Sequence, residues 1–238
     1  MRIWVARPEP GATRTGRRLV TLGHAPLVAP VLTIRPTGAA LPAGIFAGLL
    51  LTSANGVVAL TAADRVRFAG IPVFAVGART SALARRAGLE AVWDAGGDAA
   101  QLSALVRAVL PAGSPLVHVA GAEGKAEPAA SLRSAGYPVT TVIAYAAVPE
   151  LGLPPAVAAA LAARPAALDA VLHYSRRSAE TAQLLALRAG RSGAFGALKH
   201  YCLSSDVAAP LLAAGIDACF VAERPDEESL LAGLVAGT

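Results

Sequence analysis

The sequence predicts an α/β protein built from two similar domains, each a parallel sheet covered by helices. Three observations carry that expectation. Strand-like and helix-like segments alternate along the whole chain, the strand-like runs are apolar without a break, and the segments recur in the same order in two halves. Unbroken apolar runs mark strands buried on both faces, the situation inside a parallel sheet.

In chain order, Ile3–Val5 is the first apolar run, closed by Arg7-Pro8, and the helical spacing of Ala12–Leu22 follows. Leu27–Ile34 reads as a second strand. Gly48–Thr52 ends on Thr52-Ser53, after which Asn55–Ala63 has helical spacing. Val73–Val76 leads through Gly77 to a helix at Thr80–Ala87, and Gln101–Leu110 is a further helix. Leu116–Val119 is an apolar strand closed by a Gly121–Gly124 loop, with a helix at Glu127–Ser134 and a valine-rich strand at Val139–Tyr145. Ala170–Tyr174, His200–Leu203 and Ala218–Val221 complete the strands, paired with helices at Ser178–Ala189, Val207–Ala214 and Glu227–Val235. Asp226-Glu227-Glu228 after Pro225 reads as the acidic first turn of that last helix.

The recurrence is visible in four pairs. "LVTLGHAPLVAPVLTI" (19–34) resembles "LRSAGYPVTTVIAY" (132–145), and "LLLTSANGVVAL" resembles "VLHYSRRSAETAQLL" with Ser53 on Ser175. "VGARTSALARRAGLEAV" matches "LSSDVAAPLLAAGIDAC" with Gly88 on Gly215, and "DAAQLSALV" matches "DEESLLAGLV". Offsets of about 113 to 128 residues indicate duplication of a half-chain unit, too long for a solenoid.

Composition bounds the function. Of 238 residues, 55% are apolar and 16% charged, which excludes disorder. No window reaches the ~18 to 20 uninterrupted apolar residues of a membrane span, and Met1–Pro8 is too short an apolar stretch for a signal peptide, so a soluble cytoplasmic protein is expected. Cys202 and Cys219 make no disulfide framework or metal spacing and read as core strand residues. The net charge of +5 is almost all arginine, with Lys125 and Lys199 the two lysines. Scattered arginines and 5% aromatics argue against nucleic acid, whereas a small polyanion suits arginine's planar fork.

Candidate binding groups sit where strands give way to helices, since helix N-termini present free N–H groups and a positive dipole end. Ser53 or Asn55 can cap the helix after Thr52, with Ala54 between them. Ser175 occupies the equivalent turn and adds Arg176 and Arg177. Gly77 permits close backbone approach with Thr80 as cap, and Gly121 to Lys125 join glycines to a cation. Several such turns in two copies suggest a multi-point anion site, for carboxylate as readily as phosphate, because neither G-x-x-x-x-G-K-[ST] nor G-x-G-x-x-G after a strand occurs. His24, His118, His173 and His200 read as isolated core or edge histidines; no metal or cofactor is implied. Tyr145 differs, since it ends a strand just before Ala146-Ala147-Val148-Pro149, an expected interdomain linker, where a phenol could meet a ligand.

Arg7-Pro8, Pro30, Thr52-Ser53-Ala54-Asn55, Val76-Gly77-x-x-Thr80, the Gly121–Gly124 loop, Tyr145, Ser175 and Ala222-x-x-Pro225 occur in that order. Together they resemble the uroporphyrinogen-III synthase family over essentially the whole chain. The resemblance implies two flavodoxin-like lobes with parallel sheets joined by a two-stranded linker. Lobe one would be 1–35 plus 149–238 and lobe two 38–145, with linkers near 35–37 and 144–149. It implies a cofactor-free, monomeric enzyme that closes hydroxymethylbilane, a linear tetrapyrrole with carboxylate arms, and inverts the last ring through an azafulvene and a spiro intermediate. Carried over residue by residue, Tyr145 would protonate the departing hydroxyl, while Arg7, Ser53, Asn55, Gly77, Thr80 and Ser175 would hold carboxylates. Arg176, Arg177 and Lys125 would be local additions. The chain departs from the family pattern at Ser204 and Val207, where glycine and threonine are common; Asp206 adds a negative charge there, and Ala120 replaces a frequent arginine. The rival reading is a bilobed anion-binding or regulatory module without catalysis.

Overall fold

The structure, a computed structural model, describes residues 1–163, 165 and 167–236; the other positions of the expected 149–238 segment lie outside the described residues. In chain order the elements are β1 (Arg2–Val5), α1 (Gly11–Thr21), β2 (Ala25–Val28), β3 (Leu32–Pro36), β4 (Gly48–Leu51), α2 (Ala54–Ala59), α3 (Ala62–Arg67), β5 (Val73–Ala75), α4 (Ala78–Arg86), β6 (Val92–Asp94), α5 (Ala99–Val109) and β7 (Leu116–Gly121). They continue with α6 (Ala129–Ser134), β8 (Val139–Pro149), α7 (Pro155–Ala162), β9 (Ala170–His173), α8 (Arg176–Arg188), α9 (Ser192–Gly196), β10 (Lys199–Cys202), α10 (Ser205–Ala213), β11 (Cys219–Val221) and α11 (Glu227–Ala236). The chain divides into two compact units: Met1–Thr33 with Val148 onward, and Ile34–Ala147.

In the first unit five parallel strands lie in the order β11-β10-β9-β1-β2. Numbered along the chain this is 2-1-3-4-5, a doubly wound sheet whose order reverses between β1 and β9. Ile3, Val5, Leu172 and Tyr201 pack with Leu19 of α1 and with Leu230, Leu231 and Leu234 of α11. Trp4, alternate to Ile3 and Val5, is fully buried, and its indole N–H donates to the Ala29 carbonyl at 2.7 Å.

In the second unit the sheet runs β3-β8-β7-β4-β5-β6, and every pairing from β8 to β6 is parallel. Successive residues of β4 serve opposite cores. Leu49 and Leu51 pack with Val57, Phe68 and Leu89, while Leu50 packs with Leu102, Val106 and Leu132. Both faces are covered, as the unbroken apolar runs predict.

The two sheets are permutations of one plan. Matching the repeated segments places β4, β5, β6, β7 and β8 on β9, β10, β11, β1 and β2, and the spatial order is then identical. Each sequence repeat is therefore shared between the two units, and the chain passes from one unit to the other within β3 and β8. A further pair of matching sites went unread in the sequence: Arg7-Pro8-Glu9-Pro10-Gly11-Ala12-Thr13 corresponds to Lys125-Ala126-Glu127-Pro128-Ala129-Ala130-Ser131. Both Glu-Pro bonds are cis. The Glu9 carboxylate accepts the Thr13 backbone N–H at 3.0 Å, as Glu127 accepts that of Ser131 at 3.1 Å.

Several expectations need correction. The single strand expected over Leu27–Ile34 is two, β2 and β3, in different sheets; Pro30 between them has no N–H to give a ladder. The helix expected over Asn55–Ala63 breaks at Leu60, because Thr61 and Asp64 form a capping box that starts α3. Tyr145 does not end its strand: β8 continues to Pro149 through the expected linker. Strand β6 and helices α3, α7 and α9 were not anticipated; α7 is nearly all alanine and proline and has little amphipathic signal. His173 and His200 are not isolated. Their buried rings stack with centroids 5.3 Å apart, His173 Nε2 lies 3.1 Å from His200 Nδ1, and His200 Nε2 lies 3.0 Å from the Phe195 carbonyl.

Candidate functional site

In an open parallel sheet the strand ends that carry ligand are the carboxyl ends, above all where strand order reverses. The residues singled out from the sequence lie along those edges, five in the first unit and eight in the second.

In the second unit the reversal falls between β4 and β7. At the end of β4, Thr52 Oγ1 and His118 Nε2 lie 3.1 Å apart. Ser53 is the N-cap of α2, its Oγ accepting the Asn55 N–H at 3.0 Å, with Ala54 and Asn55 half-buried in the first turn. At the end of β5, Gly77 is the N-cap of α4 with no side-chain cap. Thr80 does not cap: it sits inside the first turn and is buried, so the role assigned to it passes to the Gly77 backbone. The first-turn N–H groups of α4 thus receive no acceptor from a capping side chain, as an anion site requires.

At the end of β7, Gly121 pairs in register with Tyr145, and the Ala122 N–H donates to the Tyr145 carbonyl at 2.9 Å. A Cβ at Gly121 would lie 2.5 Å from Tyr145 Cε2, so glycine is what lets the phenol ring lie across the strand end. Tyr145 is half-buried, and among the described residues its hydroxyl has no hydrogen-bond partner. Lys125 stands exposed on the loop beyond. Gly121 and Tyr145 are in contact, whereas Ser53, Gly77 and Lys125 share the sheet edge on separate strands and loops.

In the first unit the reversal falls between β1 and β9. Ser175 is the N-cap of α8, accepting the Ser178 N–H at 3.2 Å. Arg176 is exposed and bonded to Glu180 at 2.9 Å and to Asp206 at 3.3 Å. The negative charge that Asp206 adds between Ser204 and Val207 is therefore matched by a neighbouring arginine. Arg177 is half-buried in the same first turn, and Ser204 is the N-cap of α10 without a side-chain bond. Arg7 lies 3.9 Å above the Tyr174 ring, against Gly11, with Nη1 3.3 Å from Glu227.

Sequence reasoning missed Tyr174, Thr15, Arg14, Arg18 and the charge partner role of Glu227. Glu227 is half-buried. Burial alone would raise its carboxyl, but hydrogen bonds from Thr15, Tyr174 and Arg18 and the Arg7 charge outweigh it and hold the pKa below the usual value. Burial raises the Tyr174 phenol, and Glu227 adds to the rise. The legible signal was Arg14 and Arg18, one helical turn apart on α1 and facing an acid reserved for helix capping.

Among the described residues no group of three or more His, Cys, Asp or Glu could hold a metal, and no helix is long and apolar enough to cross a membrane. The sites present caps, backbone N–H groups, guanidinium groups and one unpartnered phenol, a set suited to holding anions and moving a single proton.

Comparison with known proteins agrees in fold and family. The structure of uroporphyrinogen-III synthetase from Helicobacter pylori 26695 matches with a TM-score of 0.66 at 15% identity, covering 100% of this chain and 99% of that one. A mutant uroporphyrinogen III synthase from the extremely thermophilic bacterium Thermus thermophilus matches with a TM-score of 0.50 at 20% identity, over 99% and 98% of the two chains. No curated protein matches. The family model described as uroporphyrinogen-III synthase HemD matches residues 14–232, nearly the full length, and the chain belongs to the uroporphyrinogen-III synthase family.

Proposed function

We propose that this enzyme closes hydroxymethylbilane to uroporphyrinogen III with inversion of the last ring, as a cytoplasmic monomer and without a cofactor. The observation that carries the reading is the row of uncapped or serine-capped helix starts at adjacent strand ends, in each unit grouped about the reversal of strand order. Such a row offers repeated N–H donors to a ligand with repeated carboxylates. Ser53, Ala54, Asn55, Gly77, Gly121 and Lys125 in one unit, and Arg7, Ser175, Arg176, Arg177 and Ser204 in the other, are the proposed carboxylate-holding groups, with buried Thr80 giving up its expected place to the Gly77 backbone.

The chemistry asks little of side chains. Pyrrole nitrogen supplies the electron pair that expels the hydroxyl, leaving an azafulvene. Tyr145 gives its phenolic proton to that hydroxyl, which departs as water, and the last ring is attacked at its substituted carbon. The spiro intermediate fragments and recloses with the ring inverted, and the proton shed by the newly joined ring carbon as it regains aromaticity restores the Tyr145 phenol. The protein's contribution is then to hold the arms and set the approach of the two ends. A half-buried phenol without a competing hydrogen bond is suited to meet a leaving hydroxyl.

The test is to mix purified protein with freshly generated hydroxymethylbilane, with and without chelator, and to resolve the porphyrin isomers after oxidation. Isomer III in excess of the no-protein control, undiminished by chelator, is expected. Isomer I alone removes the proposal.

A further inference from the structure

The carboxyl edge of the first unit holds more cation than its own acid neutralises. Glu227 Oε1 accepts from Tyr174 Oη at 2.7 Å, from Thr15 Oγ1, and from Arg7 Nη1 at 3.3 Å. Its Oε2 faces Arg18 Nη1 at 2.9 Å and Arg14 Nε at 3.9 Å. Three guanidinium groups against one carboxylate leave a net charge of +2. The carboxylate is the enclosed member, 15% exposed, while Arg14 and Arg18 reach solvent at 46% and 43%.

We infer that Arg7, Arg14, Arg18, Thr15 and Tyr174 form a receptor for a ligand carboxylate, and that Glu227 occupies it as an internal competitor which one arm of the ligand displaces. The inference rests on the polycarboxylate reading of the substrate. Exchange of one carboxylate for another conserves charge, and each donor keeps an acceptor, so the cost of leaving buried donors unpaired does not arise. The backbone of Glu227 has no need to follow its side chain. Asp226 caps α11 by accepting the Ser229 N–H at 2.7 Å, and Leu230, Leu231 and Leu234 fix the helix in the core.

The fold itself does not require an acid at this position. In the repeat, Asp98 corresponds to Asp226 and caps α5 in the same way, accepting the Gln101 N–H at 2.9 Å, but the residue matching Glu227 is Ala99. Lys125 is the counterpart of Arg7 there. At this position one of the two related edges thus carries a carboxylate and the other an alanine.

The decisive experiment measures binding of uroporphyrin III, the oxidised and stable octacarboxylate form of the product, to wild type, Glu227→Ala and Glu227→Gln. Removing a competitor that leaves the site open in 1 to 10% of molecules tightens binding by roughly 10- to 100-fold. Glu227→Ala is expected to show that gain and Glu227→Gln a smaller one. Acetate, titrated at constant ionic strength with chloride as the balancing ion, is expected to raise the melting temperature of Glu227→Ala saturably and to leave wild type unmoved. Where wild type binds porphyrin, equal or weaker binding by both variants overturns the inference, and an absent acetate response overturns it in any case. If Glu227→Ala does not fold, Glu227→Gln decides by the same porphyrin criterion. Saturable acetate binding without porphyrin binding in any of the three proteins leaves the carboxylate receptor standing and removes the substrate reading instead.

Discussion

At the end of β1, Arg7 lies on Tyr174 and is paired with Glu227; at the end of β7 its repeat counterpart, Lys125, stands exposed, and Ala99 takes the place of Glu227. The strands, their order and even the glutamate-capped first turns of α1 and α6 are common to both edges. Duplication therefore conserved the scaffold and let the electrostatics diverge. The first unit sets one carboxylate of its own among its cations, while the second offers a glycine-backed phenol and an uncapped helix start. Under the proposed function the second edge would carry the chemistry and the first would serve to hold the ligand.

The largest expected effect tests that division directly. Tyr145→Phe is expected to slow isomer III formation by ~10²- to 10⁴-fold, the range a general acid supplies, with an unchanged melting temperature because the hydroxyl has no partner among the described residues. Tyr174→Phe, on the other edge, is expected to lower the melting temperature with a smaller loss of rate, since its hydroxyl donates to Glu227. Reversal of that order would place the proton donor on the first unit.

The second effect concerns the histidines buried in both units. Desolvation lowers His118 to about 4, with Arg133 contributing, and lowers both His173 and His200. The Phe195 carbonyl assigns the Nε2 proton of His200, whose Nδ1 then accepts from His173 Nε2; His173 Nδ1 is left without a partner among the described residues. All three are neutral in the fold and ionise more readily when unfolded. Stability is thus complete above the unfolded value of 6.5 and is lost as pH falls toward 4. At pH 5, His118 alone accounts for about 2 kcal/mol of that loss. The urea midpoint is expected to drop between pH 7.5 and 5, and a flat midpoint would show these rings to be solvated.

Much of the fold was legible because burial on both faces of a parallel sheet leaves a coarse mark, as in Gly48–Thr52 and Leu116–Val119. What escaped was short or depended on partners distant in sequence. Pro30 separates strands of two sheets, yet nothing local says that Leu32 pairs elsewhere. The Glu227 cluster joins residues more than 200 positions apart, so its acid read as an ordinary first-turn residue. The Arg-x-Glu-Pro and Lys-x-Glu-Pro match was there to be read, but a single substitution of lysine for arginine hid it among loops.

The smallest pair of effects separates Arg7 from Lys125. Arg7→Ala removes a cation packed between Tyr174 and Gly11 and leaves Glu227 short of a partner, so a loss of about 2 kcal/mol in stability is expected from urea unfolding. Lys125→Ala removes an exposed charge, and its stability change is expected within about 0.5 kcal/mol. Its mark should appear in substrate capture instead. Raising salt weakens capture of a polyanion by exposed cations, since the Debye length shrinks to about 8 Å at 0.15 M, so wild-type KM is expected to climb with ionic strength. Lys125→Ala should begin with a raised KM and climb less steeply. An unaltered KM and salt slope would assign Lys125 to the solvated surface and leave the second unit's hold to its backbone N–H groups.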